Sequence, residues 1–173
     1  QKATNYEVNH LIFSYLKLHY KLDLELGNAY FDFKDYMEGA GISTEEFLKS
    51  VIVYARVYGQ ILYGTTASPA LNASFDRLQK LQAWGVRTYF VKLMKMVNDG
   101  VFSLETVENI VLTLEHHILK RTLSDIPPTA MEKSFRQLLS DLVSFVGTEE
   151  EYLKKFIRFL DRADAMLFPQ ENL

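Results

Sequence analysis

The chain has 173 residues, 48% of them hydrophobic, with twelve Phe and ten Tyr, so it can bury a large core and falls outside the intrinsically disordered class. Its formal net charge of −3 gives no support to a strong overall attraction to phosphate backbones, although a local basic patch is compatible with that charge. The lack of cysteine excludes disulfides, thiolate metal sites and cysteine nucleophiles, and no apolar run approaches the roughly 18 residues needed to cross a membrane.

The first two predicted helices lie within the first 40 residues. Residues 5–21 form the first, with Asn5 as its N-cap, because apolar residues recur on one face at helical spacing. The residues of that face are Val8, Leu11, Ile12, Tyr15 and Leu18. A second helix is expected over 28–38, and the Gly-Ala-Gly sequence at 39–41 ends it, since glycine readily adopts the left-handed conformation of a helix end.

Two helix-start signals follow. Ser43-Thr-Glu-Glu46 has the spacing of a capping box, which predicts a helix over 44–63. Apolar residues surround most of that helix, and we therefore expect it to be the central helix of the fold. Ser68 followed by Pro69 predicts the start of the next helix, because proline is favoured at the first helical position. Helical spacing continues to about Trp84.

The second half of the chain predicts four more helices. They are expected over residues 86–98, 104–121, 129–146 and 149–167. Ser103 is the expected N-cap of the second of these, and Thr148 begins another capping box. The buried face of the helix at 104–121 is expected to hold Val107, Val111, Leu114 and Ile118. Without strand patterns or an internal linker, residues 1–173 predict an all-α single compact domain of about eight helices.

The sequence offers no catalytic or metal-binding pattern. His116 and His117 are adjacent, so they lie about 100° apart on a helix and do not face one metal ion. The three glutamates at 149–151 begin a helix, where the helix dipole favours negative charge. The common phosphate-loop, dinucleotide, serine-hydrolase and zinc-peptidase motifs are missing from the sequence. We therefore expect no catalytic residue, no bound metal and no cofactor.

Four basic residues gather around a short proline-containing stretch. They are Lys120, Arg121, Lys133 and Arg136. They could contact a phosphate or a carboxylate, and they are the candidate site of this sequence. Equally, Lys120 and Arg121 could stabilise the negative end of their own helix, as basic residues in a last helical turn commonly do.

Four stretches of the sequence resemble the helical part of GmrSD-type proteins. They are LEHHILKRTLSDIPPTAMEKSF at 114–135, YFDFKDYM at 30–37, VIVYARVYGQIL at 51–62 and FDRLQKLQAW at 75–84. This family comprises modification-dependent restriction and phage-defence proteins. In the family, a helix ends in an arginine-rich pair, passes through a short loop ending in Pro-Thr and enters another helix. Arg121 matches the first arginine, and Pro128 with Thr129 matches the end of the loop.

The resemblance covers residues 6 to about 146 but omits the family's chemistry. The family's Asp-Gly-Gln-Gln-Arg nucleotide motif and its His-containing nuclease motif do not occur here. It therefore implies a non-catalytic scaffold or connector between the nucleotide-sensing and nuclease domains of a larger cytoplasmic protein. The expected partners are those domains and, through them, DNA, with no membrane partner and the oligomeric state left open.

Two further expectations concern the helix-to-helix corner that contains Pro128. Thr129 is expected to cap the helix that follows the corner, and Arg121 is expected to hold the corner together, with Asp125 as a candidate partner. The alternative is a stand-alone helical module that binds another protein. The start at Gln1 without Met favours an excised piece of a longer chain.

Overall fold

Eight α-helices form the part of the chain that the structure, a computed structural model, describes: residues 5–81, 84–124 and 128–167. They are α1 (Asn5–His19), α2 (Ala29–Ala40), α3 (Thr44–Tyr63), α4 (Pro69–Lys80), α5 (Arg87–Asn98), α6 (Leu104–Leu123), α7 (Pro128–Val143) and α8 (Glu149–Leu167). Short 3-10 turns at Leu26–Asn28 and Trp84–Val86 precede α2 and α5. The predicted all-α class is confirmed, and none of these helices is long and apolar enough to span a membrane.

Both predicted capping boxes are formed. The amide of Glu46 donates to the Ser43 hydroxyl at 3.2 Å, while the Ser43 amide donates to the Glu46 carboxylate at 2.8 Å. Thr148 and Glu151 make the same reciprocal pair at 3.3 and 2.8 Å. These bonds satisfy amides that have no partner inside the helix, and they explain why α3 and α8 begin where the sequence predicts.

Serine N-caps fix the starts of α4 and α6. The Leu71 amide donates to the Ser68 hydroxyl at 3.0 Å, and the Thr106 amide donates to the Ser103 hydroxyl at 3.1 Å. Both caps were predicted from the sequence. However, α4 ends at Lys80 rather than near Trp84, which lies in the 3-10 turn before α5.

The helix at the centre of the fold is α5. It packs against α1, α3, α6 and α7, and eight of its twelve residues are buried. They are Arg87, Thr88, Tyr89, Phe90, Val91, Leu93, Met94 and Met96. A helix that is buried around most of its circumference needs neighbours on all sides, and α5 has them.

The prediction that α3 is the central helix is wrong. Its buried residues lie on one face, where Val51 and Ile61 are 8% and 3% exposed. Leu48 and Ile52, on the other side, are each 51% exposed. A helix that is apolar on all sides is buried only where other helices pack against it. α3 packs mainly against α1, α4 and α5, so its other side stays in solvent.

The apolar faces of α6 and α1 are covered to different extents. All four residues expected to be buried on α6 are at most 1% exposed, which confirms that face. The apolar face of α1 is covered only in part, since Tyr15 is 2% exposed whereas Val8 is 45% exposed and Leu11, Ile12 and Leu18 are half-buried. The most deeply buried side chains there are Ser14, Tyr15 and Leu16, because they face α5 and α3.

At the edge of the fold, α2 packs on α1 and the first turns of α3. It buries none of its twelve residues. Its inward contacts are aromatic: Phe33 lies 5.2 Å from the Phe47 ring, and Tyr36 lies 6.1 Å from Tyr15, measured between ring centroids. It ends at Gly41, whose φ of 63° is the left-handed conformation that favours glycine.

Candidate functional site

Arg121, the family-matched arginine, lies inside the fold. Its side chain is 1% exposed, although it belongs to the last turn of α6. A guanidinium at that depth is closed to a phosphate in solution, so the described structure fits a structural position for Arg121. Residues 125–127 of the expected corner lie outside the described residues, and so does Asp125, its candidate partner.

Lys120 points away from Arg121 and is exposed. It lines a hollow of about 250 Å³ between α6 and α8. His116 and His117 from α6 and Asp161 from α8 share that hollow. The hollow therefore carries both signs of charge and is not a purely basic surface.

The other predicted site residues lie on α7. Lys133 and Arg136 are exposed, and Arg136 Nη1 donates to Asp23 Oδ1 at 3.2 Å, in the connection between α1 and α2. Lys17 lies in the same surroundings: burial first, and then the charge of Arg136, lower its pKa. α7 begins at Pro128, which places Thr129 inside the first turn rather than at the predicted cap position, and its side chain lies outside the described residues.

The predicted basic cluster is thus divided among different surroundings. Arg121 is in the interior, Lys120 faces α8, and Arg136 faces the α1–α2 connection. The separation follows from helical geometry, because neighbouring residues point about 100° apart and residues fifteen positions away sit on another helix. Proximity in sequence did not produce one basic surface.

A buried carboxylate on α6 joins two helices. Glu115 is 7% exposed, and it accepts hydrogen bonds from the hydroxyl of Ser74 and from Nε of Arg77, both on α4. Arg77 Nη2 adds a third bond at 3.0 Å. Burial alone would raise the pKa of the Glu115 carboxyl, but the bonds from Arg77 and Ser74 outweigh burial and hold that pKa below its ordinary value. The ion pair between Glu115 and Arg77 therefore links α6 to α4.

A basic groove, absent from the sequence predictions, lies between α7 and α8. It measures about 440 Å³, and its lining residues are Asp141, Glu151, Lys154, Lys155, Arg158, Phe159 and Arg162. We call it the α7–α8 groove. Its signal in the sequence is the spacing of Lys154, Arg158 and Arg162, which recur every four residues and so share one helix face.

The acidic residues of the α7–α8 groove are already engaged. Asp141 Oδ1 lies 3.5 Å from Lys155 Nζ, and the Glu151 carboxylate accepts from the Thr148 amide. Glu151 has a lowered pKa because that backbone bond, followed by the bond from the Thr148 hydroxyl, favours its charged form. Lys154 Nζ also donates to Glu150 Oε1 at 2.8 Å. Arg158 and Arg162, both exposed, are therefore the groove's cations most accessible to an external anion.

A second groove, lined mainly by apolar and aromatic residues, lies between α1 and α2. It measures about 450 Å³, and its lining residues are Asn9, His10, Ile12, Leu26, Gly27, Ala29, Tyr30, Phe33 and Phe47. We call it the α1–α2 groove. Burial first, and then the charge of Arg87, lower the pKa of His10 and so favour its neutral form. The groove is consequently aromatic and weakly polar, in contrast to the α7–α8 groove.

Comparisons with protein-family models, curated proteins and solved structures found no match to this chain. The resemblance to GmrSD-type proteins therefore stays a prediction from the sequence. Among the described residues, no three histidine, aspartate or glutamate side chains come together in an arrangement that could hold a metal ion.

Proposed function

We propose that this chain is a non-catalytic helical scaffold of a larger, cytoplasmic GmrSD-like restriction protein. In this proposal it connects the nucleotide-sensing and nuclease domains and contributes the α7–α8 groove to the path of the DNA. The observation that carries the proposal is the row of cations along α8. Support from the sequence is the resemblance over residues 6 to about 146.

The geometry of α8 suits a phosphate backbone. A spacing of four residues places Lys154, Arg158 and Arg162 about 6 Å apart along the helix, so they span about 12 Å. One strand of a duplex carries a phosphate about every 3.4 Å along its axis, and the row could therefore meet several phosphates. Such contacts position a duplex without reading its sequence, which is the task of a scaffold.

A titration of labelled duplex DNA over a series of salt concentrations tests the groove. The test variant is the double substitution Arg158→Gln and Arg162→Gln, and the control is Lys34→Gln with Lys49→Gln, two exposed cations on α2 and α3. Each lost phosphate contact should reduce the slope of log affinity against log salt by about 0.9, so the test variant should lose up to about 1.8. Equal slopes for the test variant and the control would contradict the proposed DNA path.

The scaffold assignment has tests of its own. The coding sequence on either side should contain the Asp-Gly-Gln-Gln-Arg motif and the His-containing nuclease motif. The purified chain should hydrolyse neither nucleotide nor DNA when divalent metal is added. Metal-dependent turnover that stays with the protein through further purification would contradict a non-catalytic scaffold.

The alternative, a stand-alone module that binds another protein, also has an observation in its favour. Tyr30 and Phe31 on α2 are 72% and 66% exposed, and adjacent exposed aromatic side chains are a frequent mark of protein contact. Flanking sequence without the two family motifs would favour this alternative over the scaffold.

A further inference from the structure

One aromatic side chain, Phe159, lies among the cations of the α7–α8 groove. It follows Lys155 by four residues and precedes Arg162 by three, and these spacings place the three side chains on one face of α8. Phe159 is half-buried and belongs to the lining of the groove, whereas Tyr152 and Phe156 of the same helix are 1% and 2% exposed and belong to the core. The groove therefore combines a partly accessible aromatic ring with cations.

The lysines of the groove are bonded to carboxylates, but its arginines are not. Within the described part of the chain, neither Arg158 nor Arg162 forms a salt bridge, and both side chains are exposed. Arg158 directly precedes Phe159, and Arg162 lies one helical turn beyond it. Two guanidinium groups are thus available to phosphate oxygens beside the ring, and their forked N–H donors suit that ligand.

The aromatic ring indicates which form of DNA the groove favours. In a duplex, stacked neighbours cover both faces of each base, and a protein meets only the backbone and the base edges in the grooves. In a single strand the base faces are accessible, and proteins that bind single strands combine a cationic groove with aromatic side chains on which bases stack. A row of cations alone would suffice for a duplex, whereas a groove of about 440 Å³ with a phenyl ring in its lining can also receive a base.

We propose that the α7–α8 groove binds single-stranded DNA, with a base stacked on Phe159 and the flanking phosphates held by Arg158 and Arg162. This inference rests on the proposed DNA path along α8 and deepens it, because it assigns an unpaired stretch of strand to that path. Stacking uses the face of a base rather than its hydrogen-bonding edge, so the groove should bind strands of different sequence alike.

The test compares three labelled ligands of about 12 nucleotides, a length within the usual site sizes for single strands. They are a thymidine strand, an abasic strand with the same number of phosphates, and a duplex of the same length. Binding to the whole chain is followed by fluorescence anisotropy at one salt concentration. We expect the thymidine strand to bind at least about fivefold more tightly than the abasic strand, because the two differ only in their bases.

Chain variants then assign the difference to the ring. Phe159→Leu keeps an apolar side chain and every cation of the groove but removes the ring, so it should weaken binding of the thymidine strand about fivefold or more. Binding of the abasic strand and of the duplex should be unchanged, because neither offers an accessible base face. Phe13→Leu on α1 is the matched control: Phe13 is also half-buried and also beside a cation, with Lys17 Nζ 4.8 Å from its ring centroid, and its loss should change none of the three affinities.

Two results would overturn the inference and leave the proposed DNA path standing. The first is equal binding of the thymidine and abasic strands to wild type, a comparison that needs no variant. The second is equal binding of the thymidine strand to wild type and to Phe159→Leu. The DNA path itself is tested by Arg158→Gln with Arg162→Gln, which should weaken binding of all three ligands. If that double variant binds all of them as tightly as wild type, the DNA path fails and this inference fails with it.

Discussion

Helices α6 and α2 show two ways in which this chain uses an amphipathic sequence. Nine of the twenty residues of α6 are buried, and three of them, Glu115, His117 and Arg121, can carry charge. None of the twelve residues of α2 is buried, although it includes Tyr30, Phe31 and Phe33. Three residues that can carry charge are thus inside α6, whereas Tyr30 and Phe31 of α2 are in solvent, the reverse of what their residue types alone would give.

The difference shows that neighbours decide burial more than residue type does. α6 lies among α4, α5 and α8, so every residue on its inner face is covered, including the charged ones. A buried charge is tolerated where it is paired, as Glu115 is with Arg77. α2 lies at the edge with α1 as its main helical neighbour, and within the described part of the chain no helix covers its outer aromatic residues, Tyr30 and Phe31.

The largest effect should come from a charge placed on the inner face of α6. Leu114 is 0% exposed, and Leu114→Asp should unfold the chain, because an unpaired carboxylate in a packed core costs several kcal/mol, comparable to total stability. Leu119→Asp, on the same helix at a position 40% exposed, is the matched control and should stay folded. Circular dichroism melts compare them, and a folded Leu114→Asp variant would contradict the assigned inner face.

Removal of Arg121 should have the next largest effect. Arg121→Ala deletes a large side chain that is 1% exposed, and we expect it to lower the free energy of unfolding by roughly 2–5 kcal/mol. Lys120→Ala, one residue earlier and exposed, should leave the melting midpoint close to that of wild type. Denaturant titrations measure both, and a loss below about 1 kcal/mol for Arg121→Ala would show that the residue matters only as a helix-end charge.

Loss of the Glu115 carboxylate should have a smaller effect that depends on pH. Glu115→Gln should cost roughly 1–2 kcal/mol at neutral pH, a range reduced because Arg77 is half exposed. The folded-state pKa of Glu115 lies below its ordinary value of 4.5, so the carboxylate's contribution is complete above that pH and is lost as pH falls through the folded pKa.

The pH dependence of Glu115 is measured as the stability difference between wild type and Glu115→Gln, followed from pH 7 downward. The groups that face this carboxylate are Arg77 and Ser74 on α4 and His116 on its own helix. Glu105→Gln, at an exposed position in the first turn of α6, is the control and should show no comparable convergence with wild type. A difference that widens as pH falls below 4.5 would contradict the ion pair.

The smallest effect on stability should come from α2. Tyr30→Ala with Phe31→Ala should change the free energy of unfolding by no more than about 0.5 kcal/mol per residue, because both side chains are mostly in solvent. Phe47→Ala, at an aromatic position 5% exposed on α3, should cost about 3–5 kcal/mol. A large loss of unfolding free energy in the α2 double variant would mean that Tyr30 and Phe31 stabilise the fold.

The burial of Arg121 could have been predicted from the sequence, whereas the pairing of Glu115 with Arg77 could not. Val107, Val111, Leu114 and Ile118 recur at spacings of four and three, and Arg121 is the next position in that series. Its burial follows from the spacing once the series is extended past the apolar residues. Glu115 lies beside Leu114 on the same side of α6, but the sequence does not indicate that its partner is Arg77, 38 residues earlier.

Local chemistry therefore settles where the helices begin and which class of fold they form. Capping boxes at Ser43 and Thr148, serine caps at Ser68 and Ser103, and apolar spacing all act within a few residues, and a sequence records them directly. Tertiary structure alone decided that α5 rather than α3 is central, that Glu115 meets Arg77, and that the two grooves carry opposite chemistry. Those outcomes depend on which helices become neighbours, and the packing of the whole chain determines that. Burial of any well-covered apolar face is favourable, so a short sequence pattern does not specify which helix will cover it.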